Sequence, residues 1–227
     1  MGLNATDDER LSSYLLQPPL ARVVCKVGER EVVVCEAGGT PLPTIHWTKD
    51  GSSLDLNNPK YVSLSSSIEY ATGAVKINTI VITPDDISVD GYYRCSARNQ
   101  WGTVVSDIKQ VILARINPLP PEYPTIITAI EGDPVRMRCT QTESVPSVTY
   151  MWGTVSSTTD SDFVRIAVSS RISISDEGNL FFAYVNVDDN QNNRLYTCRL
   201  YNRELDVIIG GSYHLLKVTP RPISAVG

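Results

Sequence analysis

Asp90-Gly91-Tyr92-Tyr93-Arg94-Cys95, continuing through Ser96-Ala97-Arg98-Asn99-Gln100-Trp101-Gly102, decides how this chain is read. The stretch opens on a turn, alternates with a period of two and leaves through an Asn-x-x-Gly turn, the pattern of a strand with one buried and one solvated face. Tyr93 and Cys95 then share the inner side, and Tyr92, Arg94 and Arg98 the outer. Upstream stand Cys35 and Trp47. The same order of Cys, Trp and Tyr-x-Cys returns at Cys139, Trp152 and Tyr196-Thr197-Cys198, at matching spacing.

A Tyr two residues before a Cys, preceded by a Cys and then a Trp, is the corner-plus-disulfide signature of an immunoglobulin sandwich. The first Cys lies on strand B, the Trp on strand C and the second Cys on strand F. Two such triplets predict an all-β chain of two tandem I-set-like immunoglobulin sandwiches, bridged Cys35 to Cys95 and Cys139 to Cys198. A bridge closing a loop of about 60 residues contributes about 4 kcal/mol in the chain-entropy picture.

Composition agrees. The 227 residues suffice for two domains of roughly 100 residues, each with its own core. With 25 acidic against 20 basic residues the chain has no electrostatic footprint for nucleic acid. No apolar run is long enough to span a membrane and no signal peptide precedes Asn4, so membrane attachment would come only through segments absent from this chain. Bridged cysteines imply an oxidising compartment and a processed or truncated product. Five cysteines leave Cys25 over. Its readings are a buried free thiol, an intermolecular disulfide and a shuffling partner. Asn4-Ala5-Thr6 is a glycosylation sequon.

Along the chain, residues 1–11 read as a flexible leader and 12–116 as the first sandwich. Strand B covers Glu31 to Ala37, with Val33 and Cys35 inward and Glu31 at the rim; strand C carries Ile45 and Trp47 inward. Residues 52–74, rich in Ser and Asn, read as short edge strands and loops. Strand E places Ile80 and Ile82 in the core, and Trp101-Gly102 closes the turn into strand G, which runs to about Arg115. Residues 117–124, with four prolines, form a Pro-rich linker. Residues 125–219 form the second sandwich, and 220–227 a C-terminal linker.

The second half is more specific than the fold. Glu131-Gly-Asp-Pro134, Pro146-Ser-Val-Thr-Tyr-Met-Trp152 and Glu177-Gly-Asn-Leu-Phe-Phe-Ala-Tyr-Val185 resemble the second immunoglobulin domain of the neuroglian and neurofascin family of neural adhesion molecules. Val81-Ile-Thr-Pro-Asp-Asp86, with the Tyr-Tyr-Arg-Cys and Asn-Gln-Trp-Gly stretches, resembles that family's first domain. The resemblance implies a cell-surface receptor with six immunoglobulin domains, fibronectin type III domains, one membrane span and a cytoplasmic tail. This chain would be part of its extracellular arm. The function implied is homophilic or heterophilic protein binding in neuron adhesion and in axon or dendrite guidance. A secreted two-domain ligand or modulator of a cell-surface receptor is the alternative.

No catalytic constellation and no cofactor is expected. His46 and His214 fall in different sandwiches without a nucleophile or metal set beside them, and exposed strand histidine is the expected state of both. Asp85-Asp86 and Asp188-Asp189 read as solvated turns that cap amides rather than as a calcium site. The candidate binding surface is the outer side of the sheet carrying strands C and F. There His46, Tyr92, Arg94 and Arg98 in the first sandwich, and Arg199 and Tyr201 in the second, offer residue types common at binding hot spots. On the opposite sheet of the second sandwich, Arg136, Arg138 and Phe181 share the outer side, as a cation-π stack or a contact for another domain. Partners are expected to be cell-surface or extracellular proteins, the same receptor on another cell among them.

Overall fold

Short runs of β-branched and aromatic residues, punctuated by Gly, Pro, Asn and Asp, favour strands joined by tight turns over helices. The computed structural model describes residues 11–16, 22–71, 73–159 and 162–222, and contains two units, Met1–Ala114 and Arg115–Gly227. Asn4, most of the expected leader and the last five residues of the terminal linker lie outside the described residues.

The first unit runs β1 (Leu11–Leu15), β2 (Arg22–Cys25), β3 (Glu31–Thr40), β4 (Thr44–Lys49), β5 (Ser52–Ser53), β6 (Tyr61–Tyr70), β7 (Gly73–Ile82), β8 (Gly91–Asn99), β9 (Gly102–Val105) and β10 (Lys109–Leu113). One sheet is ordered β1-β3-β7-β6; the other is β2-β10-β8-β4-β5, with β9 also on β8. The second unit runs β11 (Arg115–Ile116), β12 (Thr125–Ile130), β13 (Val135–Met137), β14 (Ser144–Val145), β15 (Thr149–Val155), β16 (Val164–Arg165), β17 (Ile172–Ile174), β18 (Leu180–Phe182), β19 (Leu195–Asn202) and β20 (Val207–Thr219). Its sheets are β12-β20-β19-β15-β16 and β13-β18-β17, with β11 paired to β14. Both are immunoglobulin sandwiches.

Each core is built on a bridge. Cys35–Cys95 and Cys139–Cys198 join the sheets, and Trp47 and Trp152 are buried in the same clusters. Neither indole N–H is left unpaired: Trp47 Nε1 donates to Asn78 Oδ1 at 2.7 Å and Trp152 Nε1 to the Gly178 carbonyl at 2.7 Å. Tyr93 donates to the Val89 carbonyl at 2.8 Å, and Tyr196 to the Asp189 carbonyl at 2.7 Å, so each tyrosine ties its corner to the core. Burial raises both phenol pKa values, so these hydroxyls stay protonated as donors.

Several elements differ from the sequence reading. Residues 61–70 form one ten-residue strand, β6, paired throughout with β7. Val62, Leu64, Ile68 and Tyr70 do alternate with polar residues, but both sides stay open beyond Tyr61 and the apolar side is the exposed one, so the alternation does not mark a core-facing strand. Strand G is broken between β9 and β10: Ser106 Oγ accepts the Cys95 amide at 3.1 Å and donates to the Asp107 carbonyl at 2.8 Å. The break leaves Lys109 buried, where its ammonium meets Glu31 at 2.9 Å. Residues 117–124 are tied to the second unit: Asn117 donates its amide to the Glu143 carbonyl, Leu119 packs on the second core, and Thr140 Oγ1 donates to Glu122. Arg115 and Ile116 pair with Val145 and Ser144, so the units divide before Arg115.

Two polar groups expected at the surface are buried. Asp189 is held by the Arg171 guanidinium through bonds of 2.7 and 3.0 Å. His214 is buried and stacks on Trp152 with centroids 5.9 Å apart. Its Nε2 lies 2.8 Å from the Arg138 carbonyl and its Nδ1 2.6 Å from Thr125 Oγ1. This set suits a neutral ring that donates from Nε2 and accepts at Nδ1. The sequence around His214 gives no hint of burial because both partners lie more than 70 positions away.

Two predictions follow from this packing. A Cβ on Gly211 would be driven into Cys198 Sγ and would stand 3.3 Å from Cys139 Sγ, both fixed by the bridge. Gly211→Ala is expected to destabilise the second unit by about 1–3 kcal/mol, read by calorimetry as a lowered transition for that unit alone. Burial pushes the His214 pKa below its ordinary 6.5, against the opposing pull of the Arg138 carbonyl. The unfolded chain therefore takes up this proton first as pH falls. Stability is complete above pH 6.5 and declines below it, until the folded ring also protonates. Melting temperatures between pH 7.5 and 5 should show this slope, reduced in His214→Gln.

Candidate functional site

Alternation along β8 sorts its side chains. Tyr93, Cys95 and Ala97 are buried, while Tyr92, Arg94 and Arg98 are exposed. The neighbouring strands extend this outer face through the pairs Thr48↔Arg94, His46↔Ser96 and Thr44↔Arg98 on β4, and Ser96↔Val105 on β9. Where β9 leaves β8 at Ser106, the sheet surface opens into a hollow of about 670 Å³. Tyr92, Arg94, Thr48 and Asp50 line it beside the exposed apolar Val105 and Ile108. The structure thus brings Tyr92 and Arg94 together in one concavity; His46 and Arg98 lie farther along the same face and do not line it.

The rim is braced. Asp50 Oδ1 accepts the Tyr92 amide at 2.9 Å, and the Asp50 amide donates back to the Tyr92 carbonyl at 2.9 Å. Lys49 Nζ approaches Asp50 at 3.5 Å and donates to the Ser88 carbonyl at 2.9 Å. Gln110 Nε2 donates to the Tyr92 hydroxyl at 3.3 Å while the ring remains 53% exposed. An aromatic face, a guanidinium and two aliphatic side chains around a hollow suit a protein partner that inserts an apolar group and presents an acidic one. Sequence reasoning missed Val105, Ile108 and Asp50. The Ser106-Asp107 pair was the available signal, since both residue types favour a local turn over a ladder.

The matching face of the second unit is occupied by its own chain. A Cβ at Gly153 would come within 2.5 Å of the Phe163 ring, so the glycine makes room for the phenyl group on the sheet. The Arg199 guanidinium then lies 4.0 Å from the Phe163 centroid. Tyr201 donates to Asp206 Oδ1 at 3.0 Å. Asp162 meets Arg194 at 2.6 Å and accepts from Ser156; the Ser156 bonds, and then Arg194, hold its carboxyl well below the usual range. Arg199 and Tyr201 are therefore engaged internally.

The remaining candidates also have local roles. Arg136 sits 5.5 Å over the Phe181 ring, directly opposite it in the β13–β18 pairing. Arg138 is exposed but spends its carbonyl on His214. Cys25 is a buried free thiol whose Sγ donates to the Ile112 carbonyl at 3.5 Å. Burial, with Asp90 and Glu31 adding, pushes its pKa up to about 11, so no reactive thiolate forms at neutral pH. Among the described residues no group of three or more His, Cys, Asp or Glu side chains is placed to hold a metal ion.

Comparison with known proteins fits this architecture. Residues 14–111 match the immunoglobulin I-set domain. The chain is 28% identical to neuroglian of Drosophila melanogaster over 80% of its length and 14% of that protein. It is 30% identical to neural cell adhesion molecule L1-like protein of Mus musculus over 73% of its length and 12% of that protein. It is 28% identical to neurofascin of Gallus gallus over 84% of its length and 13% of that protein. Its homologues are thus neuroglian, neurofascin and L1 family proteins, and the chain spans only a small part of each. Among solved structures it resembles the insect immune protein hemolin, with a TM-score of 0.67 at 21% identity, covering 96% of this chain and 53% of that one. At that identity the likeness concerns the fold.

The two faces should respond differently to truncation. Tyr92→Ala and Arg94→Ala are expected to change the stability of the first unit by no more than about 0.5 kcal/mol, as both side chains project into solvent. Arg199→Ala removes a stacked contact and should cost the second unit about 1 kcal/mol. Urea unfolding of the three variants checks the contrast.

Proposed function

We propose, on the premise that its homologues are neural cell adhesion molecules, that this chain is an extracellular recognition segment of an adhesion receptor and works by binding, without chemical turnover. The observation that carries the reading is the open hollow between Tyr92, Arg94, Val105 and Ile108, set on a disulfide-braced sheet. A fixed backbone presents these groups with little ordering cost on contact, and modest single contacts add up when many copies face one another across two membranes. The partner is a cell-surface or extracellular protein, like or unlike this one, with an apolar side chain for the hollow and a carboxylate for Arg94. Location on the outer side of the plasma membrane, in service of neuron adhesion and axon or dendrite guidance, belongs to the same proposal.

Beads coated with the full chain, presented to each other and to cultured neurons, test it. Binding is expected, and the double variant Tyr92→Ala, Arg94→Ala should reduce it roughly tenfold without changing melting temperature. Arg199→Ala should bind normally. Full binding by the double variant would remove this face as the recognition site.

A further inference from the structure

Strand β6 ends its sheet: β7 lies on one side and, among the described residues, no strand lies on the other. Proteins ordinarily guard an open edge with a lysine, a proline, a bulge or a very short strand. Here Tyr-Val-Ser-Leu-Ser-Ser-Ser-Ile-Glu-Tyr contains neither Lys nor Pro. It pairs with β7 in unbroken register from Tyr61↔Ile82 to Tyr70↔Gly73. Ten residues present an edge roughly 33 Å long.

The backbone fixes which groups are on offer. Thr83 donates its amide to the Lys60 carbonyl at 2.8 Å, so Lys60 and the even-numbered residues of β6 turn their N–H and C=O groups toward β7. Ser63, Ser65, Ser67 and Glu69 turn theirs toward the open edge. The side chains divide the same way. Ser63 bonds inward to Asn78, whereas Val62, Leu64, Ile68 and Tyr70 are 49%, 56%, 42% and 57% exposed on the outer face.

We infer that β6 of one copy of this chain pairs antiparallel with β6 of a second copy, about a two-fold axis through Ser66, joining their sheets into one. A two-fold axis normal to the sheet keeps the outer faces together, so even-numbered residues oppose even-numbered ones. With the axis at Ser66, Leu64 faces Ile68 and Val62 faces Tyr70, each pair occurring twice. These are the non-hydrogen-bonded positions, where side chains approach most closely. At the alternate positions Ser65 exchanges hydrogen bonds with Ser67, and Ser63 with Glu69. Glu69, the sole charge in the strand, thus meets a hydroxyl rather than its own copy. Moving the axis to Ser65 would set Leu64 against Ser66 and lose the match. The strand is complementary to itself about Ser66, which is the reason for assigning a second copy, and an isologous contact closes at the dimer. This sheet does not carry Tyr92 or Arg94, so the inference stands apart from the recognition hollow.

Cross-linking in the full chain tests both contact and register. Cα atoms of facing residues at a non-hydrogen-bonded position are about 4.5 Å apart, within disulfide reach; diagonal neighbours are about 7–8 Å apart and beyond it. Under mild oxidation Ser66→Cys should accumulate a disulfide-linked dimer on non-reducing gels. Ser65→Cys and the unsubstituted chain, whose Cys25 is buried, should not. In sedimentation, Ser66→Lys places two ammonium groups on the axis and should weaken dimerisation several-fold with an unchanged melting temperature, because Ser66 is exposed. A Ser66→Cys chain that stays monomeric, cross-linking of Ser65→Cys to the same extent, or a Ser66→Lys chain that sediments like the unsubstituted one would overturn the inference.

Discussion

The structure depends first on the fixed alternation of the strands that carry the second cysteine of each bridge. Cys95 is tied to Cys35 and Cys198 to Cys139, so β8 and β19 cannot slip. A slip of one residue would send Tyr93 and Ala97 outward and bury Tyr92 and Arg94, exchanging core for surface. The bridge therefore sets which side chains face solvent as well as limiting the unfolded chain. The corner tyrosines add a second tether to the same strands through buried hydroxyls.

With register set, the fate of each outer face is decided by what else covers it. In the first unit strand G is interrupted after Ser106, between β9 and β10, and leaves a hollow; in the second, Gly153 admits Phe163 and Arg199 stacks over it. The two sandwiches share a fold and a cysteine pattern, yet one leaves the face of its C and F strands open and the other has filled the equivalent surface. Arginine is suited to either use, since its planar cation binds an aromatic face as well as a carboxylate.

Burial of polar groups follows the same logic. The Trp47 and Trp152 indoles, the Lys109 ammonium, the Asp189 carboxylate and the His214 ring each lie in or beside a core, and each has a partner in place. Leaving any one of them without its partner would cost more than the bond itself contributes in net stability. These pairs make the packing specific: Lys109 reaches Glu31 only because the broken strand turns it inward.

The sequence by itself determined the fold class, the two bridges, the inward residues of strands B, C, E and F, and the outward display of Tyr92 and Arg94. All of these follow from a period-two pattern and from cysteine and tryptophan spacing, which are local or nearly local signals. Only the tertiary structure decided that strand G breaks, that residues 61–70 form one long open-edged strand, that residues 115–124 are tied to the second unit, that His214 is buried, and that Arg199 is engaged by Phe163. Each of these turns on groups far apart in the chain competing for the same space or the same hydrogen bond. Alternation tells a strand which way its side chains point; it carries no information about what arrives from elsewhere to cover them.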